Sequence, residues 1–104
     1  MLKVRWVVPG VLAVSSMPSE EDLRDIVSRF RCVLALAESD ELLYDMDKLA
    51  EAGLRVLHIP IPDLSAPNLI ELHEAVEFID CCEKPVLVHC FGGKGRSGTI
   101  AVAY

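Results

Sequence analysis

Long hydrophobic runs are missing from this sequence. No stretch approaches the roughly 18 consecutive apolar residues that a membrane-spanning helix needs. At the N-terminus, Arg5 and Pro9 interrupt the short apolar segment, which therefore does not follow the pattern of a signal peptide. We expect no membrane partner and a cytoplasmic location.

Basic residues are also scarce. The chain has 10 Lys and Arg residues against 16 Asp and Glu residues, which gives a formal net charge of −6. Nucleic acids and anionic membranes repel such a surface, so neither is expected as the main partner. A small local pocket of basic residues is still compatible with this overall balance.

Cysteine is limited to four residues, and their spacing contains no metal-binding pattern. No C-x-x-C is present and no His pair stands at zinc spacing, so we expect no metal site and no cofactor. Cys32 and the Cys81–Cys82 pair lie in apolar or helical contexts that predict reduced structural thiols. Reduced thiols fit the cytoplasm.

A buried core is nevertheless well supplied. The chain has 104 residues, of which 52% are hydrophobic and 25% charged. This composition is typical of a globular protein rather than a disordered one. The length is sufficient for one domain, which we predict to span residues 1–104.

Strand and helix patterns alternate along the chain. Residues 19–30 illustrate a helix, since Ser19 precedes an acidic first turn and an apolar residue recurs every three or four positions. The predicted strands are 4–8, 11–15, 32–37, 54–61 and 85–90, and the predicted helices are 19–30, 40–53 and 67–82. This order predicts an α/β fold with a central, mostly parallel sheet flanked by helices. Functional sites in such sheets lie at the carboxyl ends of strands, here the loops 59–66 and 90–96.

The stretch HCFGGKGRSGT, residues 89–99, fits two different phosphate-binding patterns. Gly93, Gly95 and Gly98 form G-x-G-x-x-G, a nucleotide-binding pattern that is weak when it stands alone. The related Walker A pattern fails, because Val88 occupies its first glycine position and Gly95 follows Lys94 where Ser or Thr is required.

The second pattern, C-x5-R, explains more of these residues. A phosphate monoester is a dianion, and a nucleophile approaches it only where that charge is neutralised. Arg96 offers a planar fork for two phosphoryl oxygens, and the glycines allow backbone N–H groups to turn inward as an anion-binding nest. The same positive field, together with the N-terminus of the following helix, favours the thiolate form of Cys90.

This stretch resembles the H-C-x5-R-[ST] signature of the protein tyrosine phosphatase superfamily. Together with HIPIPD at 58–63, it is most similar to small dual-specificity phosphatases of the compact archaeal type. The resemblance implies a phosphotyrosine protein phosphatase-like fold. Because domains of this family continue with further helices after the signature, it also implies that the C-terminal helices are missing and the domain is incomplete.

The resemblance also implies roles for individual residues. Cys90 is the nucleophile that forms a cysteinyl-phosphate, and Ser97 donates a hydrogen bond to its sulfur. His89 supports the hydrogen bonds of the loop. Substrate oxygens are bound by the Arg96 side chain and by backbone amides of Phe91, Gly92, Gly93, Lys94, Gly95 and Arg96.

Protonation of the leaving group requires an acid on a neighbouring loop. Asp63 lies between prolines in PIPDLSAP, 27 residues before Cys90, where the resemblance places the general acid. The simpler interpretation is a turn-forming Asp after Pro. His58 could line the edge of the same pocket, although a histidine at a strand end is its plainer interpretation.

The sequence therefore predicts a cysteine-dependent phosphatase acting on phosphotyrosine and on phosphoserine or phosphothreonine, with a phosphorylated protein or peptide as partner. The same chemistry on an inositol phosphate, a lipid or an RNA 5′ end remains an alternative. So does a non-catalytic phosphate-binding fragment, and so does a sulfurtransferase or arsenate reductase. Lys94 either favours more anionic substrates or faces solvent.

Overall fold

The core of the structure is a five-stranded sheet. The structure, a computed structural model, describes residues 2–62, 65–92 and 99–100. The strands are β1 (Arg5–Val8), β2 (Leu12–Ser15), β3 (Cys32–Ala35), β4 (Arg55–His58) and β5 (Val86–His89). Their order across the sheet is β1-β2-β5-β3-β4. Only the β1–β2 pair is antiparallel and the other three pairs are parallel, which confirms the predicted α/β class.

A tight turn joins β1 to β2. Gly10 has a φ of +73°, a left-handed conformation that residues with a Cβ rarely adopt. The N–H of Val11 donates to the carbonyl of Val8 at 2.9 Å and closes the turn. Since β1 runs antiparallel to β2, its first residues lie at the same end of the strands as the last residues of β2 and β5.

In the part of the chain before the Cys90 loop, three described helices cover the sheet. They are α1 (Leu23–Arg29), α2 (Met46–Glu51) and α3 (Leu69–Cys81), and short 3₁₀ turns form at Glu20–Asp22 and Ser39–Glu41. One apolar cluster lies under α3, where Ala75 and Ile79 pack with Leu34 and Val88. The other cluster contains Leu23 and Ile26 of α1 and Leu49 of α2. Both faces of the central strands are thereby buried.

The predicted second helix, 40–53, is wrong over its first half. Only Met46–Glu51 is α-helical, because the Asp45 side chain accepts a hydrogen bond from the N–H of Asp47 and begins the helix there. Tyr44, one residue earlier, is turned into the core and is 6% exposed. The predicted end is confirmed, since Gly53 has a φ of +98° directly after the last turn.

β4 lies at the edge of the sheet, where it pairs with β3, and its residues are exposed or half-buried. On α3, Ala75 and Ile79 are buried, whereas Leu69 is 84% exposed. No helix in the described part of the chain has the length and apolar character to cross a membrane.

Candidate active site

The central strand β5 delivers His89 and Cys90 to the carboxyl edge of the sheet. Hydrogen bonds on both sides fix the end of this strand. The N–H of Leu36 donates to the carbonyl of His89 at 2.9 Å, and the N–H of Met17 donates to the carbonyl of Phe91 at 2.9 Å. The candidate nucleophile therefore stands on rigid backbone rather than on a free loop.

The loop that starts at Cys90 returns to the same apolar cluster. Cys90 is 2% exposed and belongs to the cluster under α3, as does the fully buried Ile100. Residues 99 and 100 are helical. The residues on either side of the segment 91–99, Cys90 and Ile100, thus pack on the same side of the sheet.

His89 points to the opposite face, where Tyr44 contacts it. The Tyr44 hydroxyl is 2.5 Å from His89 Nε2, and the rings meet edge to face with centroids 5.4 Å apart. Burial raises the pKa of Tyr44, so its hydroxyl keeps its proton, and it shares a hydrogen bond with Nε2. On the other side of the ring, His89 Nδ1 lies 3.4 Å from the carbonyl oxygen of Cys90.

Tyr44 was missed by the sequence analysis, which placed it inside a helix. Its contact with His89 joins residues 45 positions apart, and no local pattern signals it. The pair links the helical layer over one face of the sheet to the backbone of the candidate nucleophile. A supporting role for His89 is in keeping with this position.

The loop predicted to carry the general acid begins beside the same strand end. The N–H of Ile61 donates to the carbonyl of Leu36 at 3.0 Å, and Leu36 itself is bonded to His89. Ile61 is 1% exposed and belongs to the cluster that contains Cys90. On the far side of Asp63, the N–H of Ser65 donates to the carbonyl of Pro62 at 3.1 Å. The two candidate loops therefore start two strand spacings apart, about 10 Å.

Several predicted site residues lie outside the described residues, and their roles stay predictions. These are Asp63, Gly93, Lys94, Gly95, Arg96 and Ser97. Phe91 and Gly92 are described and both are exposed. Gly92 does not have a positive φ, and among the described residues a Cβ added there would meet no atom within 4 Å.

The remaining cysteines have a different character. Burial and the neighbouring Cys82 thiol raise the pKa of Cys32 to about 12, and its Sγ lies 3.3 Å from the carbonyl of Glu83. Such a thiol is not a nucleophile at neutral pH. His58 contacts the carbonyl of Ala37 at 2.6 Å, which agrees with its plainer interpretation as a strand-end histidine. In the ranges 2–62, 65–92 and 99–100, no cluster of His, Cys, Asp and Glu is arranged to hold a metal.

A mostly parallel sheet whose central strand ends in a buried His-Cys pair defines an α/β phosphatase fold of the tyrosine phosphatase type. The comparisons with known proteins agree. The family model of the Swiss Army Knife PTP domain, a DSP-PTPase phosphatase domain, matches residues 1–104. The chain belongs to this family of dual-specificity and tyrosine phosphatase domains.

Two curated relatives match part of the chain. The chain is 35% identical over 65 residues to the dual specificity protein phosphatase OPG106 of vaccinia virus (strain Western Reserve), a match that covers 57% of this chain and 38% of that protein. It is 36% identical over 59 residues to the cyclin-dependent kinase inhibitor 3 of Sus scrofa, covering 54% of this chain and 28% of the relative. The matches thus span 28% to 38% of the length of these relatives.

Solved structures show the same fold. Tk-PTP in its active form is 39% identical and superposes with a TM-score of 0.85, covering 93% of this chain and 67% of that one. PTPMT1 in complex with PI(5)P gives a TM-score of 0.83 at 24% identity over 93% of this chain and 67% of that one, a likeness of fold alone.

Proposed function

We propose that this protein is a cysteine-dependent protein phosphatase that hydrolyses phosphotyrosine, together with phosphoserine and phosphothreonine monoesters. One observation carries the proposal: Cys90 ends the central parallel strand, on backbone fixed from both sides, in a chain of the DSP-PTPase family. Residues 1–104 then form one catalytic domain of this type. Its partner is a phosphorylated protein or peptide in the cytoplasm, rather than a nucleic acid or a membrane.

In the first step, the Cys90 thiolate attacks phosphorus as the bond from phosphorus to the ester oxygen breaks. Asp63 gives its proton to that oxygen, so the product leaves as a neutral alcohol or phenol. Arg96 and the backbone amides of residues 91–96 hold the three phosphoryl oxygens as negative charge is redistributed among them. The product of this step is a cysteinyl-phosphate.

In the second step, water attacks phosphorus and the sulfur–phosphorus bond breaks. Asp63, now ionised, accepts the proton of the attacking water, and inorganic phosphate is released. Ser97 donates a hydrogen bond to the departing sulfur and stabilises it as a thiolate. His89 contacts Tyr44 through Nε2 and the carbonyl of Cys90 through Nδ1, and so holds the start of the loop in place.

Hydrolysis of a chromogenic aryl phosphate, with a chelator present, tests this proposal. The wild-type chain is expected to turn over and Cys90→Ser is expected to give no turnover, since an alcohol is a far weaker nucleophile than a thiolate at neutral pH. Asp63→Asn is expected to lower kcat by about 10²-fold or more, because proton donation to the leaving group is lost.

Binding separates a dead catalyst from a damaged fold. The Cys90→Ser variant is expected to retain affinity for inorganic phosphate, whereas Arg96→Ala is expected to lose it. Cys82→Ser is the matched control, since it alters another buried thiol, at the opposite end of β5 from Cys90. A fully active Cys90→Ser variant, or activity that the chelator removes, would refute the mechanism.

A further inference from the structure

A basic cavity lies beside the start of the Cys90 loop. It has a volume of about 410 Å³, and its lining includes Lys3, Arg5, Ser15, Ser16 and Gly92. Gly92 is the second residue after Cys90, so the cavity opens next to the candidate phosphate site. The charged residues among its described lining are both basic, in a chain whose formal net charge is −6.

The antiparallel course of β1 brings these two basic residues to the site. Arg5 pairs with Val14, and Val14 pairs with Val88 of β5. The contact between Met17 and Phe91 continues the β2–β5 pairing past the strand ends. Extending both registers by two residues places Lys3, Ser16 and Cys90 on one line across the sheet, about 10 Å from end to end.

Side-chain alternation puts both basic groups on the face of the sheet where Cys90 lies. Successive side chains of a strand point to opposite faces. Leu2 and Val4 pack into the cluster of α1 and α2, whereas Val7 packs against the cluster that contains Cys90. The register of β1 shifts between Trp6 and Val8, but Arg5 lies before that shift and pairs with Val14, a member of the cluster that contains Cys90. Arg5, and Lys3 two residues earlier, therefore point to the side of Cys90.

The segment that carries them is anchored to the fold. The N–H of Leu2 donates to Asp25 Oδ2 at 3.1 Å, and Arg29 Nη1 donates to the carbonyl of Leu2 at 3.0 Å. Lys3 is thus held between this anchor and the first residue of β1. The Lys3 and Arg5 side chains are exposed, and neither forms an ion pair with another residue of the described ranges.

We propose that Lys3 and Arg5 form a subsite for a second acidic group of the substrate, and that the substrate is a phosphorylated peptide with an acidic side chain about three residues from the phosphorylated one. This inference rests on the proposed phosphatase function. The spacing follows from geometry, since an extended peptide advances about 3.3 Å per residue and the subsite lies about 10 Å from Cys90. Ser16, which shares the face of Lys3 and Arg5, adds a hydroxyl to the lining of the same cavity.

Binding of matched phosphotyrosine peptides tests the subsite. One peptide has Glu at the second and third positions on both sides of the phosphotyrosine, and its partner has Gln there. In the Cys90→Ser background, the Glu peptide is expected to bind about fivefold more tightly than the Gln peptide, the effect of a small number of exposed charge pairs. Adding Lys3→Ala and Arg5→Ala is expected to reduce this ratio to about one.

The matched control is the pair Arg24→Ala and Arg31→Ala in the same background. Both residues are exposed, and their substitution removes the same amount of charge. Arg24, however, lies on α1, and Arg31 lies at the amino end of β3, away from the carboxyl ends of the parallel strands. These variants are expected to keep the Glu preference. Salt supplies a second readout, because the screening length falls from about 30 Å at 0.01 M to about 10 Å at 0.1 M, and the preference is expected to shrink accordingly.

Two outcomes would overturn the subsite: equal binding of the two peptides, or a Glu preference that survives Lys3→Ala and Arg5→Ala. A Glu preference lost equally in the Arg24→Ala and Arg31→Ala control would also overturn it, since the effect would then be one of net charge. Hydrolysis of the aryl phosphate by the wild-type chain is followed separately. Its absence would refute the phosphatase function and leave the binding result to decide the subsite.

Discussion

At the scale of single residues, the site depends on a contact that lies on the face of the sheet opposite to the Cys90 side chain. The Tyr44 hydroxyl contacts His89 Nε2, and His89 Nδ1 lies next to the carbonyl oxygen of Cys90. Both side chains are buried, at 6% and 0% exposure. Such a pair fixes the direction in which Cys90 enters its loop, because a buried polar contact has few alternative arrangements.

Tyr44→Phe tests this contact, because it keeps the ring and removes only the hydroxyl. The buried Nε2 of His89 loses a hydrogen bond, so we expect the free energy of unfolding to fall by about 1–2 kcal/mol. We also expect a lower kcat on the aryl phosphate, since the start of the loop is held less firmly. Urea unfolding and steady-state kinetics measure the two effects. Wild-type values for both would show that the contact has no role.

Alkylation distinguishes the thiols by their environments. With a pKa of about 12 against an ordinary 9.0, Cys32 is ionised to about one part in a thousand at pH 9, where an unperturbed thiol is half ionised. Iodoacetamide at pH 9 is therefore expected to label the exposed Cys81 and to leave Cys32 unmodified, as read by peptide mass mapping. In urea both are expected to react. Labelling of Cys32 at the rate of Cys81 in the native protein would contradict this account.

At the scale of elements, α3 is defined at both ends by side chains. At its start, the N–H of Glu71 donates to Asn68 Oδ1 at 2.8 Å, and the N–H of Asn68 donates to Glu71 Oε1 at 2.9 Å. At its end, Lys84 Nζ donates to the carbonyls of Ile79, Asp80 and Cys82. These groups satisfy backbone atoms that a helix end leaves unpaired and place positive charge at the C-terminus. The cap at Asn68 also sets where the loop that carries Asp63 ends.

Asn68→Ala removes the N-terminal cap of α3. We expect the free energy of unfolding to fall by about 1 kcal/mol, as for other N-cap substitutions. Glu74→Ala is the control on the same helix, because Glu74 is exposed and is expected to change stability by less than about 0.5 kcal/mol. Thermal or urea unfolding of the two variants supplies the comparison. Equal losses in both would mean that the cap contributes nothing specific.

At the scale of the whole molecule, the site exists because several chain segments end at one edge of the sheet. β5 brings Cys90, the extension of β4 brings the start of the Asp63 loop, and the reversed β1 brings Lys3 and Arg5. An overall acidic protein can in this way present a basic site. An anion that binds this edge holds together segments that are far apart in sequence, so its binding should stabilise the fold as a whole.

Inorganic phosphate is therefore expected to raise the melting temperature. A ligand that binds only the folded state stabilises it by about 2.7 kcal/mol at a concentration 100 times its Kd. Chloride at matched ionic strength is expected to give a much smaller shift, and Arg96→Ala is expected to abolish the response to phosphate. Thermal unfolding at several phosphate concentrations measures this. An unchanged response in Arg96→Ala would remove Arg96 from the anion site.

Much of the fold followed from local patterns in the sequence. The five strands were predicted within a few residues because runs such as residues 32–37 are apolar on both faces, and the parallel class followed from their alternation with helices. The errors fell where tertiary contacts override local pattern. The helix predicted at 40–53 begins only at Met46, because Asp45 caps it there and Tyr44 packs into the core. The strand predicted at 54–61 ends at His58 and lies at the edge of the sheet, where it pairs with β3.

The sequence by itself determined the chemistry proposed for the site: a cysteine, an arginine six residues later and glycines between them already define an anion-binding loop with a nucleophile at its start. Only the tertiary structure decided which distant residues stand beside that cysteine. Tyr44 against His89, and Lys3 and Arg5 beside Gly92, are contacts between segments tens of residues apart. Their proximity comes from strand order and strand direction across the whole sheet, which no local periodicity encodes.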